Sequence, residues 1–158
     1  MDIDIRDLVR NRYDFLRWPA PAEVFAGPAG HLPVVGPGTP LPLLKRTPYP
    51  GGDYLDLFGD ESGAMVTVRV EAYADAAAAR EGLIRHLSAS VVTRLPNAAD
   101  KGMPIGEVGF AALDDPPSAV VFVRGRLVID ISSVGKTPYP ISAFAALFDD
   151  LAARWSRP

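Results

Sequence analysis

The pattern of apolar and polar positions is clearest in residues 118–132, SAVVFVRGRLVIDIS, where two β-branched runs flank Arg124-Gly125. Two such runs around a glycine predict a β-hairpin, because glycine readily takes the positive φ that a tight turn needs. If Val123 pairs with Arg126, alternate residues share a face of the hairpin. One face is then wholly apolar, with Val120, Phe122, Leu127, Ile129 and Ile131. The other face is mixed, with Val121, Val123, Val128, Asp130 and Ser132. The mixed composition predicts that something partly covers this second face.

Alternation also predicts strands elsewhere in the second two-thirds of the chain. Tyr54–Phe58 and Met65–Tyr73 are predicted strands joined by the turn-rich segment GDESG. Ser90–Leu95 has the composition of a short edge strand, and a further strand is predicted near Ile105–Leu113.

Helical periodicity predicts three helices. The first runs from Asp4 to about Leu16 and ends at Trp18-Pro19. The second begins after Asp75 as its N-cap and continues to about Ser88. Its predicted core positions are Ala76, Ala79, Leu83, Ile84 and Leu87. The last, about Pro140–Trp155, keeps its large apolar residues on a single face.

The segment Pro19–Pro50 differs from the rest because it holds more than half of the 16 prolines. Proline at this density excludes a long helix and a central strand. The segment is nevertheless too apolar for a free linker. We therefore predict an extended arm that lies on the body of the domain, where it could cover the mixed face of the sheet.

Together these elements predict a single α+β domain over residues 1–158. Its mostly antiparallel sheet is expected to be packed by two or three helices on one face. The parts are an N-terminal helix (1–18), the Pro-rich arm (19–50) and a strand-strand-helix-strand-hairpin-helix body (53–158).

Composition narrows the classes of function. A chain of 158 residues can bury a substantial core. Its net charge of −3 disfavours a nucleic-acid partner, since such proteins are usually basic. The absence of cysteine excludes disulfides, thiolate metal sites and cysteine nucleophiles. The charged start is unlike a signal peptide, and no apolar run is long enough to span a bilayer. These features predict a cytoplasmic protein without a membrane partner.

Known catalytic and cofactor motifs are incomplete in this chain. Gly135-Lys136-Thr137 resembles the end of a phosphate-binding loop, but the glycine required upstream is replaced by Asp130 and Pro138 follows at once. A polar turn is the simpler interpretation. His31 and His86 do not have metal-ligand spacing. We therefore predict no cofactor and no metal.

The tetrapeptide Thr-Pro-Tyr-Pro occurs twice, at Thr47–Pro50 and Thr137–Pro140. Its tyrosines, Tyr49 and Tyr139, are candidates for binding a partner or lining a ligand site. The alternative is that both copies are rigid turns set by proline.

A second group of candidates is expected on the outer, mixed face of the sheet. Its members are Tyr54, Asp56, Thr67, Arg69, Glu71, Tyr73 and Asp130. Carboxylates beside an arginine and tyrosines could bind a small polar ligand or carry out acid–base chemistry. The alternative is a set of cross-strand ion pairs on a solvated face.

Two hypotheses of function follow. The first is a non-enzymatic binding or interaction module that self-associates or is a subunit of a cytoplasmic bacterial complex, since extended arms are a common route to oligomers. The second is a small carboxylate- and tyrosine-dependent hydrolase or isomerase with its site on the outer face. The enzyme hypothesis requires Asp56, Arg69, Glu71 and Asp130 to converge in a pocket, with a carboxylate pKa raised by burial.

Overall fold

The computed structural model describes residues 39–49, 53–88 and 95–155. The described strands are β1 (Leu43–Pro48), β2 (Tyr54–Gly59), β3 (Met65–Ala72), β4 (Val108–Ala111), β5 (Ala119–Arg124) and β6 (Leu127–Ser133). The described helices are α1 (Ala76–Ser88), α2 (Ser142–Trp155) and a short 3-10 helix, Ala99–Lys101. The predicted N-terminal helix, most of the Pro-rich arm and nearly all of the predicted strand Ser90–Leu95 lie outside the described residues.

The strands form one antiparallel sheet in the order β1-β2-β3-β6-β5-β4. The predicted α+β fold with an antiparallel sheet is confirmed. Because β6 pairs with β3, the last strand of the chain lies at the centre of the sheet. The meander β4-β5-β6 is thereby joined edge to edge with the meander β1-β2-β3.

The predicted hairpin is present, but its register is shifted. Arg124 pairs with Leu127, and the turn consists of Gly125, with a φ of 58°, and Arg126. The predicted pairing of Val123 with Arg126 is therefore wrong, since Val123 pairs with Val128. A shift of two residues returns every side chain to the same face, because side chains alternate with a period of two. The predicted division into an apolar and a mixed face is confirmed.

The apolar face of the sheet is covered by α2 and is called the α2 face here. Val68, Phe122 and Ile129 are buried there against Phe144 and Phe148. The large side chains of α2 point toward this face, as their helical spacing predicts. This layer is the main core of the described part of the chain.

The mixed face is covered in part by α1 and is called the α1 face here. Val121, Val123 and Val128 pack against Ala79 and Leu83. The two described helices therefore lie on opposite faces, which differs from the expected placement on one face. The physical reason is that β5 and β6 carry valines on both faces of the sheet. Each face therefore needs a helix that shields its valines from water.

The buried positions of α1 also differ from expectation. Ala79 and Leu83 are buried as predicted, and Ala78 N donates to the capping Asp75 Oδ1 at 2.7 Å. Ala76 and Ile84 are exposed, Ile84 by 60%, and are not core residues. Gly82 is buried instead. It lies so close to the end of the Tyr73 ring that a Cβ at this position would overlap it.

One strand, β1, comes from the end of the Pro-rich segment. It is an edge strand that pairs only with β2 among the described residues. An edge position suits Pro48, because proline has no N–H to donate to a second neighbour. The prediction excluded a central strand from this segment but did not include an edge strand.

The Gly135-Lys136-Thr137 segment is a turn between β6 and α2. Thr137 Oγ1 donates to Ser62 O at 3.0 Å, which ties this turn to the β2–β3 loop. A Cβ at Gly135 would overlap the Gly63 carbonyl oxygen, so close approach of two backbones explains this glycine. The helix that a phosphate loop would need at this point is absent from the described chain, where α2 begins only at Ser142.

Candidate functional site

The structure divides the predicted site residues between the two faces of the sheet. Arg69 and Asp130 are paired residues of β3 and β6 on the α1 face, and Glu71 lies two residues further along β3. Tyr54 and Asp56 lie on the α2 face and are each 1% exposed. Their predicted position on the outer face is wrong.

Asp56 is buried because β1 supplies a partner for it. Arg46 forms a bidentate pair with Asp56, with Nε–Oδ1 at 2.6 Å and Nη2–Oδ2 at 2.7 Å. The Arg46 guanidinium carbon also lies 3.8 Å from the centroid of the Tyr54 ring. Burial raises the pKa of the Asp56 carboxyl above its ordinary value, and the adjacent Arg46 opposes this effect only in part. This cluster is part of the core and is closed to a ligand.

On the α1 face, helix α1 contributes His86, which was not among the predicted site residues. His86 Nε2 lies 2.5 Å from Glu71 Oε1, and its Nδ1 lies 3.5 Å from Asp130 Oδ2. The Tyr73 hydroxyl donates to Glu71 Oε2 at 2.6 Å. Glu71, Tyr73, His86 and Asp130 are called the His86 cluster below. Helical spacing places His86 one turn after the buried Leu83, but the sequence does not show which strand α1 crosses.

The charges of the His86 cluster stabilise one another. Asp130 and Glu71 raise the pKa of His86 to about 9, against the opposing effect of burial. The hydrogen bond from His86 is the main reason that the pKa of Glu71 falls to about 2, and the bond from Tyr73 adds to it. Burial, followed by the bond to Glu71, raises the pKa of Tyr73. At neutral pH an imidazolium therefore lies between two carboxylates.

This arrangement predicts a loss of stability at alkaline pH. The pKa of His86 is higher in the folded chain than its ordinary value of 6.5, so its contribution is fully present below pH 6.5. That contribution is lost as the pH rises through about 9. Urea denaturation at pH 6 and pH 9.5 should show this decrease, and His86→Gln should reduce it. An equal decrease in the variant would show that His86 is not the cause. Lysines and tyrosines also titrate at alkaline pH, but they do so in both proteins.

A cleft of about 330 Å³ opens beside the His86 cluster. It lies between the end of α1 and strands β4, β5 and β6. Its apolar lining includes Leu87, Leu95, Phe110, Leu113 and Val121. Asp130, Ser132 and His86 provide its polar groups. Leu113 is 60% exposed and lies at the edge of this cavity.

The two Thr-Pro-Tyr-Pro tyrosines do not come together. Tyr49 is 43% exposed, and the Arg69 guanidinium carbon lies 5.9 Å from its ring centroid. Tyr139 packs against Phe144 with ring centroids 6.1 Å apart, and its hydroxyl donates to Pro40 O at 3.4 Å. Tyr139 therefore supports the packing of α2, whereas Tyr49 borders the charged part of the α1 face.

The geometric condition for the enzyme hypothesis is not met. Asp56 lies on the opposite face from Arg69, Glu71 and Asp130. Glu71 has a lowered pKa instead of the raised pKa that a general acid near neutral pH would need.

The described ranges contain neither a cluster of metal ligands nor a membrane-spanning helix. Among residues 39–49, 53–88 and 95–155, no group of three or more histidine, aspartate or glutamate side chains is arranged to hold a metal ion. In the same residues, neither α1 nor α2 is long and apolar enough to cross a membrane. Comparison of the chain with protein-family models, curated proteins and solved structures gave no match.

Proposed function

We propose that this chain is a non-catalytic binding module and that its ligand site is the cleft on the α1 face. The observation that carries the proposal is an apolar cavity of about 330 Å³ with three polar residues at its side. Small-molecule sites begin at about 300 Å³ and combine an apolar wall with a few polar groups. The cleft has this combination.

The hydrogen bonding of the His86 cluster favours binding over catalysis. A general base needs an unoccupied acceptor within reach of the substrate proton. Both nitrogens of His86 face carboxylates, and Glu71 receives bonds from His86 and Tyr73. Arg69 Nε lies 3.4 Å from the same Glu71 carboxylate. These groups therefore hold α1 on the sheet and shape one side of the cleft.

Binding of a simple apolar probe tests this proposal. Indole titrated into ¹⁵N-labelled protein should shift the amide signals of Phe110, Leu113 and Val121 more than those elsewhere. Leu113→Ser should weaken indole binding by about tenfold, as expected from losing much of one leucine contact. Val134→Ser is the matched control, because Val134 is also exposed but does not line the cleft. Indole that fails to shift the cleft signals at millimolar concentration would refute the proposal.

Self-association through the Pro-rich arm is a further part of the proposed function, and it is supported by the composition of residues 19–50. Truncation before residue 39 is the appropriate test, since a longer deletion removes β1 and with it Arg46, the partner of Asp56. Light scattering should give an oligomer for the full chain and a monomer for residues 39–158. Circular dichroism would verify that the shorter chain folds. Equal masses per chain in the two proteins would contradict self-association through the arm.

A further inference from the structure

Small residues of the sheet make room for the cleft beside the His86 cluster. Ala119 pairs with Ser132 across β5 and β6, and Ala112 continues this row just after β4, where its N–H donates to Ala119 O at 2.9 Å. All three residues line the cavity. The adjacent row carries larger side chains, since Phe110 pairs with Val121. The row of two alanines and one serine therefore leaves open a space that bulkier side chains would fill.

The charged groups beside the cleft are balanced against one another. The His86 imidazolium lies 2.5 Å from Glu71 and 3.5 Å from Asp130, and Arg69 Nε lies 3.4 Å from Glu71. Two carboxylates therefore face two cations, and no arginine or lysine is among the described residues that line the cavity. A charged group on a ligand would lose hydration here without gaining an unpaired counterion, which costs free energy. The balance of charge favours a neutral ligand.

The Ser132 hydroxyl is the polar group of the cleft that has no partner within the described residues. Ser132 is half-buried and lies two residues after Asp130 on the same face of β6. Two residues of a strand span about 6–7 Å, so this hydroxyl is set apart from the ion pairs. A hydroxyl can donate one hydrogen bond and accept others, which suits a neutral oxygen of either kind. The apolar side chains of Phe110 and Leu113 line the same cavity.

We infer that the cleft selects neutral ligands that carry one hydroxyl or carbonyl group on an apolar body, and that Ser132 binds this group. This inference rests on the proposed function. The Ser132 hydroxyl donates to a ligand carbonyl or exchanges a hydrogen bond with a ligand hydroxyl. The apolar body lies over Ala119 and contacts Phe110 and Leu113.

Four phenyl probes test this inference: 2-phenylethanol, ethylbenzene, phenethylamine and 3-phenylpropionate. Titration followed by NMR should show that the alcohol binds about tenfold more tightly than either ion, because each ion loses hydration without an unpaired counterion. In Ser132→Ala the alcohol should bind about fivefold more weakly, which is the effect of one neutral hydrogen bond. Ethylbenzene differs from the alcohol only by the missing hydroxyl, so its affinity should stay within about twofold. Unchanged binding of ethylbenzene also shows that the cleft of the variant is intact.

Ser133→Ala is the control, because Ser133 lies on the other face of β6 and its hydroxyl accepts from Tyr139 N at 3.1 Å. It should leave the affinities of all four probes unchanged. An ion that binds as tightly as the alcohol would overturn the inference. So would a Ser132→Ala variant that binds the alcohol as the wild type does, or that weakens ethylbenzene as much as the alcohol. Any of these results, with indole still bound in the cleft, leaves the proposed function standing. Failure of indole and every probe to shift the cleft signals would overturn the proposed function as well.

Discussion

Replacing Asp56 by alanine is expected to lower the free energy of unfolding by about 3–5 kcal/mol. The substitution leaves the Arg46 guanidinium buried without its bidentate partner, on a side of the sheet where both residues are almost inaccessible. The cost arises because the variant loses the carboxylate that neutralises this buried charge. Urea denaturation of the wild type and the variant, with a common slope, measures this difference.

A double substitution distinguishes this mechanism from a simple loss of packing. Arg46→Met with Asp56→Leu removes both charges and keeps apolar volume, so it should recover most of the stability. Asp150→Ala, which breaks an exposed pair with Arg154, should cost less than about 1 kcal/mol. If Asp56→Ala were as stable as Asp150→Ala, the buried ion pair would have no structural role.

Replacing Phe144 by alanine should also destabilise the protein by about 3–5 kcal/mol. Phe144 is fully buried on the α2 face, with its ring centroid 4.8 Å from that of Phe58 and 6.1 Å from that of Tyr139. The alanine variant loses this contact area and leaves a cavity between α2 and the sheet. Thermal or chemical unfolding provides the measurement.

Two further variants provide reference values for the loss of stability in Phe144→Ala. Phe144→Leu fills much of the same space and should cost roughly 1.5 kcal/mol or less. Ile84→Ala removes an apolar side chain that is 60% exposed on α1, and it should change stability by no more than about 0.5 kcal/mol. Similar losses for Phe144→Ala and Ile84→Ala would show that α2 does not pack on the core as described.

The hairpin shows how far local pattern leads to the correct structure. Its two strands and their faces agree with the alternation of valine, phenylalanine and isoleucine. Its register does not, because Gly125 takes the first rather than the second position of the turn. Both positions of a tight turn accept glycine, so alternation alone cannot choose between two registers that differ by two residues.

In β2 local pattern leads to the wrong face. Side chains of the strand YLDLFG alternate between the two faces, and the predicted outer position of Tyr54 and Asp56 would turn Leu55 and Leu57 toward the core. The structure buries Tyr54, Asp56 and Phe58 instead. Asp56 can face the core only because Arg46 on β1 forms an ion pair with it. Strand β1 was not predicted, because its segment is rich in proline.

The candidate site was predicted in part. Arg69, Glu71 and Asp130 lie on one face because alternation along β3 and β6 places them there. The closest charged contact, between Glu71 and His86, joins residues 15 positions apart through a helix that crosses the sheet. The cleft likewise depends on how the end of α1 is set against β4 and β5.

Residue order along the chain was sufficient for strands β2 to β6, the two described helices and the division of the hairpin into an apolar and a mixed face. These properties depend on neighbours within a few positions, through alternation, helical spacing and turn geometry. The faces on which α1 and α2 pack, the burial of Arg46 with Asp56 and the partners of His86 emerged only in the folded sheet. They depend on contacts between segments distant along the chain, where a charge is stable in the core only if another strand brings its partner.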